Sequence, residues 1–432
     1  MLLILFFIAY GLFSKFLART PITGPILFVG LGVALGPDAL DLVTIELDDG
    51  IVQTILEMSL VVILFTDAAV IDVAKARRQL ALPSRLLTIG LIGTIAAGIV
   101  VAQALFGEIG FWSAAVIAVT LAPTDAALGQ AVVTNAAVPG AVRQGLSVES
   151  GLNDGIAVPF LSIAIAGAAG EMVSGSGVAA LFLEEIGVAI LVGLAIGFVG
   201  GRLVVLCYSR EWMSRAWRQM SVPLLAVACF LVATPLHGSG FIAAFVGGMV
   251  FGNIVRRHYS DVCTLSEATA YLLTTLSFFI FGAIIFGPRI DAITAEVVLY
   301  AIASLTVVRM VPVAIAMIGS DFSFTTIAFL GWFGPRGIAS LVFAGTVIAE
   351  SDPSDTEATL VIVSTTVALS VLLHGLTAWP LSIVYGRWLE KETARDGADT
   401  MAEMSDVPVV TVRRRTTEAL EPLTMRRLRD DD

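Results

Sequence analysis

The segments 111–133, FWSAAVIAVTLAPTDAALGQAVV, and 324–345, FTTIAFLGWFGPRGIASLVFAG, decide how the rest of the chain is read. Each is apolar over about the ~20 residues that cross a bilayer, yet each carries a proline and a charge near its middle. Pro123 and Asp125 interrupt the first, and Gly334, Pro335, Arg336 and Gly337 interrupt the second. Proline removes a backbone donor and its ring collides with the preceding turn, so both helices should unwind there. Unwound backbone at mid-membrane is tolerated only where protein covers it or where it lines a polar cavity. The exposed N-terminal ends carry partial positive charge and the C-terminal ends partial negative charge. Asp125 can neutralise the former and Arg336 the latter, and each could either touch a ligand or only stabilise the break.

The surrounding sequence makes the bilayer its solvent. Over 432 residues the chain is 57% hydrophobic and 14% charged, with a mean hydropathy of +0.91, which excludes an ordinary soluble domain. About thirteen apolar spans follow one another. They centre near Phe7, Gly30, Val61, Ala96, Leu121, Val158, Leu191, Cys229, Val246, Phe279, Val307, Gly334 and Leu372. The opening MLLILFFIAY lacks a basic leader and a small-residue cleavage site, so it is expected to remain as the first span. The interrupted spans are the fifth and the twelfth, and an odd offset turns the second relative to the first across the membrane. The expected architecture is all-α and polytopic, an inverted repeat with two crossed discontinuous helices, a pattern that points to a transporter's binding site.

The net charge of −11 becomes informative once sorted by loop. Lys15 and Arg19, then Lys75, Arg77, Arg78 and Arg85, then Arg143, then Arg202, Arg210, Arg215 and Arg218, then Arg256 and Arg257 all follow odd-numbered spans. The other loops carry acids such as Asp38, Asp48, Asp49, Glu108 and Glu357, with Arg289 as their one basic residue. By the positive-inside rule the N-terminus is outside and the C-terminus cytoplasmic, in a multi-pass protein of the cell membrane. Residues 386–432 are too polar and short for a core of their own and are expected to be a disordered cytoplasmic tail. Cys207, Cys229 and Cys263 have no paired spacing, and His237, His258 and His374 are dispersed, so neither a disulfide framework nor a zinc site is indicated.

Ionisable residues inside the spans each cost ~2.5–3.5 kcal/mol at a helix centre unless paired or wetted, so each needs a reason. They are Asp67, Asp125, Glu149, Asp154, Arg309 and Arg336. In the sixth span Ser150 and Asp154, four apart, share a helix face, and Glu149 and Asn153 share the adjacent one. A carboxylate with a hydroxyl neighbour and carbonyls freed near Thr124 makes a hard oxygen site for Na⁺, Li⁺ or K⁺, with Asp154 at its centre. Burial favours the protonated carboxyl and a bound cation favours the carboxylate, so proton and cation compete for one group. Glu149 can pair with Arg309 in the eleventh span. Asp67 either faces the same cavity or sits at the cytoplasmic end of the third span, near Asp72 and Lys75.

With LAPTDAALGQ (121–130), ESGLNDGIAVP (149–159), HGSGFIAAFVGGMVFGN (237–253), VVRMVP (307–312) and GPRGIASLVF (334–343) in this order, the chain resembles the NhaP and NHE branch of the monovalent cation/proton antiporters. The resemblance covers residues 1–385. It implies a sodium/proton antiporter, with roles in sodium transport and pH homeostasis, working as a homodimer by elevator-like alternating access. The dimerisation part would comprise about residues 1–80 and 178–290, and the mobile core about 85–170 and 294–385. By the same resemblance Asp154 binds cation and proton, Ser150 and Thr124 help coordinate, and Asn153 orients the site. Glu149 pairs with Arg309, Asp125 and Arg336 compensate helix ends, and Asp67 falls where some members place an acid near the cation. Members with Asn-Asp rather than two aspartates in the sixth span tend to be electroneutral, and this chain has Asn153 before Asp154. One departure is Ala126, where many prokaryotic relatives have proline after the Thr-Asp pair. No cofactor is expected, only the transported ions, and no catalytic residue. K⁺/H⁺ exchange on the same fold is the alternative. A cation channel would need a carbonyl filter of the TVGYG type, which is missing, and an intramembrane aspartyl protease would need a Gly-Asp motif facing a second aspartate.

Overall fold

A computed structural model describes residues 2–17, 20, 22–42, 50–71, 73, 81–107, 109–125, 127–170, 175–350 and 353–396. Ala126, the loop charges Arg19, Asp48, Asp49, Asp72, Lys75, Arg77, Arg78 and Glu108, and the tail from residue 397 lie outside them. Among the described residues all regular structure is helical. The helices are α1 Leu2–Leu17, α2 Gly24–Leu35, α3 Gly50–Val70, α4 Ala81–Phe106, α5 Phe111–Thr120 with Gln130–Val133, α6 Gly140–Ala168 and α7 Gly175–Ser209. There follow α8 Arg215–Ala233, α9 Gly240–Val255, α10 Tyr259–Ile280, α11 Ala295–Leu305 with Val307–Ala316, α12 Phe324–Trp332 with Ile338–Glu350, and α13 Pro353–Asp396. Among the described residues eight stretches are long and apolar enough to cross a membrane, one of them running through both α9 and α10, and α1, α2 and parts of α5 and α12 are shorter apolar helices. The chain is a multi-pass membrane protein. Helix α13 runs on past Tyr385 to Asp396, so the polar stretch after 385 begins as helix.

Helix starts follow local chemistry. Ser239, Ser323 and Thr294 cap α9, α12 and α11 by accepting the N–H groups of Ile242, Thr326 and Val297, which removes one orphan donor at each end. Proline alone does not break these helices. Pro159, Pro223 and Pro380 sit inside α6, α8 and α13, which stay helical through them.

Two packed groups of helices result. In one, α9 lies against α3, α7 and α8, with α10 against α2, α3 and α8. Small residues bring these backbones together, as TM helix packing favours: a Cβ on Gly248 or Gly252 would meet the main chain of Phe65 or Ala69 in α3. In the other group α5 packs on α4 and α6, and α11 on α4, α12 and α13. The groups meet where α3 touches the second half of α12 and α9 touches α6. Polarity is inside out: Asp154, Glu149, Arg309 and Arg336 are buried, whereas Leu191, Phe198 and Leu203 of α7 are exposed. Trp212 and Trp217 are exposed beside Arg210 and Arg215, the amphipathic belt expected at a membrane surface.

Candidate functional site

Both interrupted helices are unwound where their prolines lie, α5 between Thr120 and Gln130 and α12 from Phe333 to Gly337. The breaks face each other. The Asp125 N–H donates to Pro335 O at 2.7 Å. Its carboxylate accepts from the N–H groups of Ala127 (2.7 Å) and Leu128 (3.3 Å) through Oδ1, and from that of Ile338 (2.7 Å) through Oδ2. One side chain therefore caps the N-terminal ends of the second halves of both helices. Arg336, fully buried, sends Nη1 to the carbonyls of Ala122 (2.5 Å) and Pro123 (3.2 Å), capping the C-terminal end of the first half of α5. Gly337 is required here because any Cβ would overlap the Asp125 carboxylate.

Helix α6 runs alongside. Ser150 Oγ donates to Thr124 O at 2.5 Å, and Asn153 Nδ2 donates to Thr124 Oγ1 at 2.7 Å. Ser150 and Asn153, placed on adjacent faces by sequence spacing, thus converge on one residue of the α5 break. Arg309 Nη2 lies 2.6 Å from Glu149 Oε1 with both side chains buried, an ion pair between α11 and α6. Asp154 is 4% exposed, and its Oδ1 is buried with no hydrogen-bond partner. Asn153 Oδ1 is buried and unpartnered as well. Buried oxygens left open in a polar site are where a hard cation or a proton fits, since an unsatisfied acceptor is costly to bury. Asp67, in the last turn of α3, is exposed and lies within Coulombic range of Asp125 and Asp154. A crevice lined by Thr124, Asp125, Ser150, Leu146, Phe333 and Pro335 opens onto the break of α5.

The sequence reading passed over several polar groups that the structure places inside the apolar helices. His374 of α13 meets the break of α12, with Nε2 2.8 Å from Trp332 O, and Ser370 Oγ accepts the Arg336 N–H at 2.7 Å. Glu57 of α3 is held by Gln53 at 2.6 Å. A polar pair four apart inside an apolar span was the available signal in both cases.

The profile of the sodium/hydrogen exchanger transmembrane family matches residues 2–384. The chain is 25% identical over 389 residues to the K(+)/H(+) antiporter NhaP of Alkalimonas amylolytica, which is 88% of this chain and 65% of that protein. It is 26% identical over 241 residues to Na(+)/H(+) antiporter 2 of Zygosaccharomyces rouxii, 51% of this chain and 29% of the relative. The chain thus spans less than two thirds of the length of these curated relatives. Among solved structures the sodium proton antiporter MjNhaP1 from Methanocaldococcus jannaschii at pH 8 shares the fold, with a TM-score of 0.72 and 20% identity over 88% of this chain and 96% of that one.

Proposed function

Because the chain belongs to the sodium/hydrogen exchanger family, we propose that it is a secondary antiporter that exchanges Na⁺ or Li⁺ for H⁺ by letting cation and proton compete for Asp154. The observation that carries this reading is charge pairing at the crossing. Glu149 is matched by Arg309, and Asp125 spends both oxygens on helix N-termini. Asp154 is left with an unpartnered buried oxygen beside the Thr124, Ser150 and Asn153 cluster.

An empty carboxylate is expensive to carry through a low-dielectric barrier, whereas the protonated or cation-loaded form is not. Only loaded forms then cross, which is sufficient for obligatory exchange. One carboxylate serves one proton or one monovalent cation, so the cycle is electroneutral. The α4–α6 and α11–α13 group is the mobile core and the group around α9 its support in a homodimer, with the N-terminus outside and the C-terminal tail cytoplasmic in the plasma membrane. Asp67, exposed in the last turn of α3 and within Coulombic range of Asp154, draws cations toward it.

The test is proteoliposome flux with Na⁺, Li⁺ and K⁺ under an imposed pH gradient. Asp154→Asn keeps the side-chain volume and removes the titrating group, so it should abolish exchange while expression and oligomeric state persist. In the unaltered protein the apparent KM for the cation should rise about tenfold for each pH unit of acidification below the Asp154 pKa, because protons occupy the same oxygen. Cation-driven proton flux retained by Asp154→Asn would refute the assignment. The name of the Alkalimonas relative favours a second reading, K⁺/H⁺ exchange, and the K⁺ arm of the same assay decides between them.

A further inference from the structure

Four helix ends meet at the crossing, and charged side chains cap three of them. Asp125 serves both N-terminal ends, and Arg336 serves the C-terminal end of the first half of α5. The fourth end, that of the first half of α12, presents Trp332 O, and here the ring of His374 stands with Nε2 at 2.8 Å. His374 is 1% exposed. Its Nδ1 lies 3.1 Å from Ser370 Oγ and 3.0 Å from Ser370 O. Ser370 Oγ also accepts the backbone N–H of Arg336.

Proton positions follow from what each atom can do. A carbonyl oxygen can only accept, so Nε2 carries a hydrogen toward Trp332. Ser370 Oγ already receives the Arg336 N–H, so its own proton is available to Nδ1, which is then bare. Either neutral tautomer leaves one bare nitrogen facing a carbonyl, Nε2 toward Trp332 O at 2.8 Å or Nδ1 toward Ser370 O at 3.0 Å, but only Nδ1 has a hydroxyl, Ser370 Oγ at 3.1 Å, that can donate to it. We propose that His374 is a neutral positioning residue, an Nε2–H donor that closes the fourth helix end and, through Ser370, fixes the Arg336 backbone and so the Thr124 to Asp154 cation site. The guanidiniums of Arg336 and Arg309 both lie within Coulombic range of the ring. A neutral donor caps the end without setting a third positive charge beside them. Asp125 then balances Arg336, Glu149 balances Arg309, and Asp154 is the group whose charge changes in the cycle. This inference rests on the exchange reading above.

Two measurements test it separately from that reading. The chain has three histidines, so His237→Gln with His258→Gln leaves His374 alone for ring ¹⁵N spectroscopy in reconstituted membranes. A neutral Nε2–H ring should persist across about pH 6 to 8, where a free imidazole titrates. An Nδ1–H tautomer or an imidazolium would overturn the proposal without reference to flux. In transport, His374→Gln keeps an N–H at the position of Nε2 but loses the Nδ1 acceptor of Ser370, so it should hold the cation KM below that of His374→Leu. His374→Leu should raise KM about fivefold, the effect of losing one net buried hydrogen bond while Trp332 O keeps the Gly334 N–H at 2.9 Å. If His374→Leu keeps the original KM, or His374→Gln is as impaired as His374→Leu, the capping role is wrong. Should His374→Leu fail to fold, the spectrum still decides. Absence of any exchange by the unaltered protein would instead sink the antiporter reading and leave the spectrum to judge His374.

Discussion

Glu149 and Arg309 show what a single buried pair does in this protein. Their 2.6 Å contact between α6 and α11 is closed off from water, so removing one partner strands the other charge at a cost of about 3–5 kcal/mol. Glu149→Gln and Arg309→Gln should each lower the detergent melting temperature sharply, and the double change should be milder than the sum of the two. Additive shifts would mean that the pair is not coupled. The carboxylates of the site were legible in the sequence because a charge in an apolar span demands a reason. His374 was not, because histidines invite grouping by convergence on a metal, whereas its partner is a main-chain carbonyl 42 residues away in sequence. Nothing in a carbonyl's residue type advertises such a role.

At the scale of the helix, the breaks of α5 and α12 were readable from Pro123 and Pro335, but proline was only half the cause. Pro159, Pro223 and Pro380 leave their helices intact. What separates the two cases is the supply of partners for the freed ends: Asp125 and Arg336 reach across to the other helix, and this pairing is a property of the fold. The glycine after Arg336 belongs to the same device. Asp125 is held by three N–H groups and cannot swing aside, so Gly337→Ala should displace it, lower the melting temperature by an overpacking cost of about 1–3 kcal/mol, and abolish exchange. Wild-type flux in Gly337→Ala would show that the carboxylate tolerates another position. The close contacts of Gly248 and Gly252 with α3 were invisible in sequence, since glycine is common in membrane helices whether or not a backbone lies against it.

For the whole molecule, hydropathy alone delivered the polytopic helical fold, because the bilayer leaves a chain this apolar few alternatives. The division into two packed groups was not available from the residues, since it depends on contacts between helices far apart in the chain. It matters for energetics: if the charges inside the group proposed to move balance in each loaded form, no net charge crosses the membrane. Clamping liposomes with valinomycin and K⁺ gradients should therefore leave the initial rate of Na⁺/H⁺ exchange unchanged, and a steep voltage dependence would require a second proton carrier, with Asp67 the first suspect. The Asp125 cap has a further consequence, in time. Its carboxylate closes on Ile338, 213 residues downstream, and a ribosome working at about 5–20 residues per second needs roughly 10–40 s to make that stretch. Throughout that interval the broken helix waits in the translocon or the lipid with Arg336 not yet synthesised, so the newborn chain depends on the insertion machinery, or on nearby water, to shelter the gap until its counterpart arrives.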